Sequence, residues 1–248
     1  MNHDFRALLA MWVACILLGS SGPAEAKPFS PYRQYSSSLF INGNFKLTFQ
    51  RQWGEPRAAS GTSVESPTIS PVLLPLSVSS FRTVGEPVVP RRIATGVPGL
   101  EREQRQRLEA ALLELLKDYE HLLDENDEQR LKNNLAGAFN FLFLSSYCAL
   151  KNGEELSGEQ RESMLEQINA SIAMRLKERR LSDREKQELY ESVVLSGSII
   201  RGLYNEGRDK GRAEQLKSAR ELARAMLEQL MGLTIEKVRL DGNAVRIG

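Results

Sequence analysis

From Asn133 to Leu150 the chain reads NNLAGAFNFLFLSSYCAL, a run without a single charge and with three phenylalanines in its middle. Wound at about 100° per residue, its apolar side chains point to every side instead of along one stripe. A helix that is apolar all round is either the centre of a helical domain or a membrane span. The run holds Asn133, Asn134, Asn140, Ser145 and Ser146, and amphipathic segments flank it closely. A central packing helix fits that context; a membrane span does not.

The flanking pattern is helical throughout. Leu108, Leu112, Leu115, Leu116, Tyr119, Leu122 and Leu123 recur at helical spacing, so an amphipathic helix is expected over roughly 101–123. Asp124 to Asp127 should break it, with the uncharged helix running from about Glu128 to Lys151 and stopped by Asn152-Gly153. Ser157-Gly158-Glu159-Gln160 and Ser182-Asp183-Arg184-Glu185 both match the capping box, in which Ser and the residue three positions on satisfy each other's backbone N–H. The first opens a helix with Met164, Leu165, Ile168, Ile172 and Leu176 inward. The second opens one reaching Tyr204, again uncharged from Ser192 to Ile200. Gly197 and Gly202 inside it each cost about 1 kcal/mol relative to Ala, a cost that close helix approach offsets. Ala136, Gly137 and Ala138 are the expected partners. Asn205 to Gly211 reads as a loop, 212–231 as a last amphipathic helix, and Gly232 as its end. Alternation of Val238 and Leu240 before Asp241-Gly242-Asn243, and of Val245 and Ile247 after it, predicts a small hairpin. The expected fold is all-α over 99–248: about five helices around two buried uncharged ones, with a C-terminal β-hairpin.

Residues 27–98 differ in kind. They hold nine of the ten prolines and eight Lys/Arg against three Glu, which predicts a basic, largely irregular tail or linker. Leu39 to Phe49 (LFINGNFKLTF) is the exception, since Asn-Gly between apolar runs favours a hairpin. Poor order is expected from about Ser60 to Pro98, with Val72 to Val78 able to tuck onto the domain as an extended strand. Ahead of this, Arg6, an apolar run of about 13 residues and Ala24-Glu25-Ala26 have the grammar of a cleavable signal peptide over 1–26. The run is short for a bilayer span, which needs about 20 residues. Cys15 does not fit a lipidation site, because Trp12 stands where a small aliphatic residue is wanted. Cleavage would leave Cys148 as the single thiol, unable to form an internal disulfide.

Much chemistry is excluded by composition. The formal net charge is +1, which argues for no nucleic-acid partner. Past residue 26 the one histidine is His121, which removes the two-histidine zinc patterns; no metal and no cofactor is expected. Glu185, Glu188 and Glu191 alternate with Arg184 and Lys186 as a solvated helix face does. Arg175 to Arg184 reads as a helix end, where cations are favoured. Arg208, Lys210 and Arg212 precede a helix N-terminus and are candidates for holding an anion. Asn140, Tyr147, Arg201 and Tyr204 are polar groups carried by the two uncharged helices, and are the candidate ligand-binding residues. Convergence of these, or of Tyr190, on one open pocket would mark a site. Asn140, if buried, is expected to hydrogen-bond a neighbouring helix.

The stretches NNLAGAFNFLF (133–143), LSDREKQELYESVVLSGSIIRGLYNEG (181–207) and ARELARAMLEQLMGL (219–233) together resemble a family of exported bacterial helical proteins known as a domain of unknown function. The resemblance covers about 100–248. It implies an all-α exported domain and brings no activity with it. The expected function is that of a non-enzymatic exported module that binds or scaffolds a protein or other cell-envelope component. An envelope-acting enzyme using carboxylate or tyrosine chemistry is the alternative, and a membrane-inserting helical protein the second.

Overall fold

The uncharged helix begins later than its sequence suggests. In the computed structural model, which describes residues 74–247, Gln129–Leu131 forms a single 3-10 turn and Lys132 is extended. Asn133 is left-handed at φ 52°, a conformation that Asn tolerates better than most residues. Asn134 then caps the helix Leu135–Leu150, its side chain accepting from the Gly137 N–H at 3.0 Å. Charged Glu128 to Lys132 stay outside, and the helix is left with apolar and small residues alone. Thirteen of its sixteen residues are buried, which makes it the centre of the fold.

Taken in chain order among the described residues, the helices are α1 (Val89–Gly96), α2 (Arg102–Glu125), α3 (Leu135–Leu150), α4 (Gly158–Glu178), α5 (Asp183–Asp209) and α6 (Ala213–Met226). A π-turn, Leu227–Met231, continues α6 until Gly232 ends it in the left-handed conformation. Strands β1 (Val238–Asp241) and β2 (Ala244–Ile247) then pair antiparallel, Val238 opposite Ile247. The described residues are thus mostly helical with the expected hairpin, and they form six helices where about five were expected. Helices α4, α5 and α6 pack against α3, and α2 packs on α5. Both expected capping boxes are closed, and Glu101 with Gln104 makes a third at the start of α2. Gly197 is a point of close approach, since a Cβ there would stand 2.8 Å from Phe141 Cδ1 and 3.2 Å from Leu142 Cα. Its partners are therefore Phe141 and Leu142; Gly137, among the residues expected to face it, instead lies against Leu131.

Two stretches expected to be irregular are ordered. Helix α5 runs through 205–209, where a loop was expected, and Gly207 lets α6 approach it closely: a Cβ at Gly207 would meet Leu216 N at 2.9 Å. Likewise α1 forms inside the proline-rich region. Pro90 sits in its first turn, where a missing N–H is no loss. The Val88 and Val89 N–H groups donate to Glu191 Oε2 at 3.0 and 2.9 Å. Glu191, read as part of a solvated face, is 2% exposed. Gln187 clamps it, donating to its Oε1 at 2.8 Å while accepting from the Val84 N–H at 2.6 Å. Upstream, Leu76–Ser79 is a 3-10 turn and not an extended strand. Its Ser79 hydroxyl reaches Asn134 Oδ1 at 3.1 Å and Asn169 Oδ1 at 2.7 Å, and Asn169 donates to the Leu74 carbonyl at 2.9 Å. Thus 74–98 is tied to the helices through three buried polar side chains and Glu191. The expected signal peptide over 1–26 and the expected hairpin at 39–49 lie outside the described residues.

Candidate functional site

One face of α3 borders an opening between its neighbours. Gly137, Phe141, Leu144 and Cys148 recur along it, with Asn140 on one edge and Ser145 on the other. Above them lies an open cleft of about 450 Å³. Helix α4 contributes Arg161, Glu162 and Leu165 to one wall, and α5 contributes Arg201, Tyr204, Asn205 and Arg208 to the other. The last turn of α2 (Tyr119, Leu122, Leu123) closes one end, and the loop after α3 (Glu154, Glu155, Leu156) borders the rest. The α5 wall arises from spacing alone, since 201, 204, 205 and 208 share a helix face.

Four polar residues singled out in the sequence, Asn140, Tyr147, Arg201 and Tyr204, line this cleft together, and Arg208 joins them. Tyr190 does not. It is buried behind, edge-on to Phe81 and Tyr119 with ring centroids 5.3 and 6.1 Å apart. Lys210 and Arg212 also point elsewhere: both donate to Glu206 Oε1, at 2.9 and 3.2 Å, so their charge is directed at a carboxylate of their own chain. Arg208 pairs with Asp209 at 3.0 Å, its guanidinium 5.9 Å from the Tyr204 ring centre. His121 is exposed on α2.

The polar chemistry of the cleft is unusual for a protein interior. Asn140 is 6% exposed, yet its Oδ1 accepts no hydrogen bond, contrary to the interhelical bond expected of it. Ser145 Oγ and Tyr119 Oη, also at the cleft, are likewise buried without a partner. Leaving such a group unmatched costs about 1–3 kcal/mol. Among the described residues four more atoms share this condition, on Ser146, Tyr190, Glu206 and Gln215, none of them at the cleft. Three of seven on the border of one opening is a concentration, not a scatter.

Two tyrosines and the cysteine here are held protonated. The Tyr147 hydroxyl donates to Glu154 Oε1 at 2.9 Å. Burial first, then that carboxylate, pushes its pKa up to about 12. Burial and Glu155 raise the Cys148 thiol, partly offset by Arg201 and Arg208. Burial raises the Tyr119 phenol well above its usual range, with Tyr190 adding to the effect. On the outer rim Arg130 binds Glu162 Oε2 at 2.6 Å and Glu128 Oε2 at 2.8 Å, which occupies both carboxylates. Arg161 and Arg201 are exposed and pair with no carboxylate among the described residues.

Sequence reasoning missed Tyr119, Ser145 and the Glu154–Arg161 border. Tyr119 and Ser145 sit at regular apolar positions of their helices, and no local signal separates them from ordinary core. Among the described residues, no three His, Cys, Asp or Glu side chains form a metal-binding group, and no helix is long and apolar enough to cross a membrane. A family model described as a family of unknown function (DUF6683) matches residues 9–247, a longer span than the 100–248 resemblance. No curated protein and no solved structure matches the chain.

Proposed function

The chain belongs to this family of unknown function, and from that premise we propose that it is a non-enzymatic binding module whose ligand enters the cleft over α3. The observation that carries this is the gathering of Asn140, Ser145 and Tyr119, each with a buried unpartnered polar atom, on one open cleft. A ligand that hydrogen-bonds there recovers what the fold gives up. Binding is favoured over catalysis because Tyr147 and Cys148 both have raised pKa values and stay protonated near neutral pH. A phenol donating to Glu154 is a positioning group and a poor nucleophile. The signal-peptide grammar of residues 1–26 supports an exported protein, so the partner belongs to the cell envelope.

Two experiments test the reading. A fragment library titrated into the labelled protein should shift amide resonances of residues 137–148, 154–161 and 201–208 together. Shifts confined to other surfaces, or none, would reject the cleft. Expression in a Gram-negative host with fractionation and intact-mass measurement should yield a soluble periplasmic species starting at Lys27. A species retaining Met1 would reject cleavage and export.

A further inference from the structure

Resting on the cleft as a binding site, we propose that its ligand is a short peptide ending in a free carboxylate. The main-chain amides lie over α3, and the carboxylate faces Arg201. The argument begins with the unpartnered groups. Asn140 is an amide and Ser145 and Tyr119 are hydroxyls. An amide N–H satisfies the Asn140 oxygen, and a carbonyl takes a proton from either hydroxyl. A peptide backbone offers both at every residue, which neither a hydrocarbon chain nor a phosphate does.

Shape and charge point the same way. From Gly137 to Cys148 the α3 face runs eleven residues, about 16 Å at helical rise, or about five residues of extended peptide. Half-buried Leu122 and Leu144 border it with apolar surface for side chains of the ligand. Near Cys148 the charged neighbours are Glu155, Arg201 and Arg208. Arg208 is engaged by Asp209, whereas Arg201 pairs with no carboxylate among the described residues. A guanidinium presents a planar donor fork matched to a carboxylate. Tyr147 is held on Glu154, and Arg130 pairs with both Glu128 and Glu162 on the outer rim. Glu155, a charged neighbour of Cys148 on the same side as Arg201, should oppose an incoming anion.

The test uses the full chain and two probes, acetyl-Leu-Ala-Leu with a free carboxylate and the same peptide as its C-terminal amide. Occupancy is read from the slowing of iodoacetamide attack at Cys148, mapped by peptide mass spectrometry so that Cys15 is scored separately. The acid should protect Cys148 at least about tenfold more tightly than the amide, in the range of one charge-assisted contact. Arg201→Gln, an exposed change, should bring the acid down to the level of the amide. Glu155→Gln should tighten the acid. Equal protection by acid and amide, or a preference that survives Arg201→Gln, overturns the carboxylate assignment. A weaker acid in Glu155→Gln would mean that the carboxylate contributes to binding by attracting a cation, and overturns it too. If neither peptide protects while library fragments still shift the cleft resonances, the peptide class falls and the cleft stands. If neither peptides nor fragments act there, both fall.

Discussion

Asn134 and Asn140 lie six residues apart on or beside the same helix, and both are buried. Asn134 accepts from the Gly137 N–H and the Ser79 hydroxyl and donates to the Leu76 carbonyl and the Ser80 hydroxyl. Asn140 leaves its oxygen unmatched beside an open cleft. The difference separates two uses of buried polarity. At the N-terminal end of α3 the Asn134 side chain is partnered by Leu76, Ser79 and Ser80 as well as by its own helix, and the result is attachment of residues 74–98. Along the cleft side of α3 the buried oxygens of Asn140 and Ser145 have no partner in the chain, and the result is hydrogen-bonding capacity left unused beside an opening. Burial of an amide is therefore no guide to its role until its partners are known.

The comparison makes graded predictions. The largest effect is expected for Asn134→Leu, which removes the cap of α3 and orphans several buried groups together. It should cost about 3–5 kcal/mol in urea denaturation; a loss under about 1 kcal/mol would show the network to be dispensable. Next comes Glu191→Ala, which strips the Val88 and Val89 N–H groups of their acceptor. About 2–3 kcal/mol should be lost, with hydrogen-exchange protection falling first over 88–96. Protection unchanged there would mean that α1 is held by its apolar contacts alone.

A smaller effect concerns Tyr147. Its folded pKa of about 12 lies above the ordinary phenol value near 10, so the folded state keeps the proton longer than the unfolded chain does. Stability from this group is complete below about pH 10 and is lost as pH rises toward about 12. Tyr147→Phe should flatten the stability profile within that window, as read by denaturation at stepped pH. Smaller still, Ser145→Ala should change stability by no more than about 0.5 kcal/mol, because its hydroxyl has no protein partner to lose.

The parts of the fold legible in the sequence were those set by local chemistry. The capping boxes at Ser157 and Ser182, the left-handed stop at Gly232 and the alternation around Gly242 each announce an element through adjacent residues. Helix α1 was not legible, because its start is held by Glu191, about a hundred residues away, while the nearby prolines read as a linker. The extension of α5 past Asn205 was hidden for a similar reason, since the contact that makes Gly207 necessary comes from Leu216 on the next helix. For α3 the late start was written in Asn133-Asn134, a left-handed residue followed by a cap, and was masked by the continuity of the pattern from Glu128. Within the site, Asn140, Tyr147, Arg201 and Tyr204 stood out because polar groups are rare in uncharged helices. Whether a buried oxygen finds a partner is a property of three-dimensional packing, so Tyr119 and Ser145 could be recognised from the fold alone.

The most direct test of the distinction is the unfolding free energy of Asn140→Leu, measured by urea denaturation beside the wild type. Replacing an unmatched buried amide by an apolar group of similar size removes a desolvation cost and breaks no bond. Stability should be unchanged or higher by up to about 1 kcal/mol, with fragment-induced shifts at 137–148 lost. A destabilisation of about 2 kcal/mol or more would show that Asn140 is a structural residue like Asn134, and would contradict the cleft as a binding site.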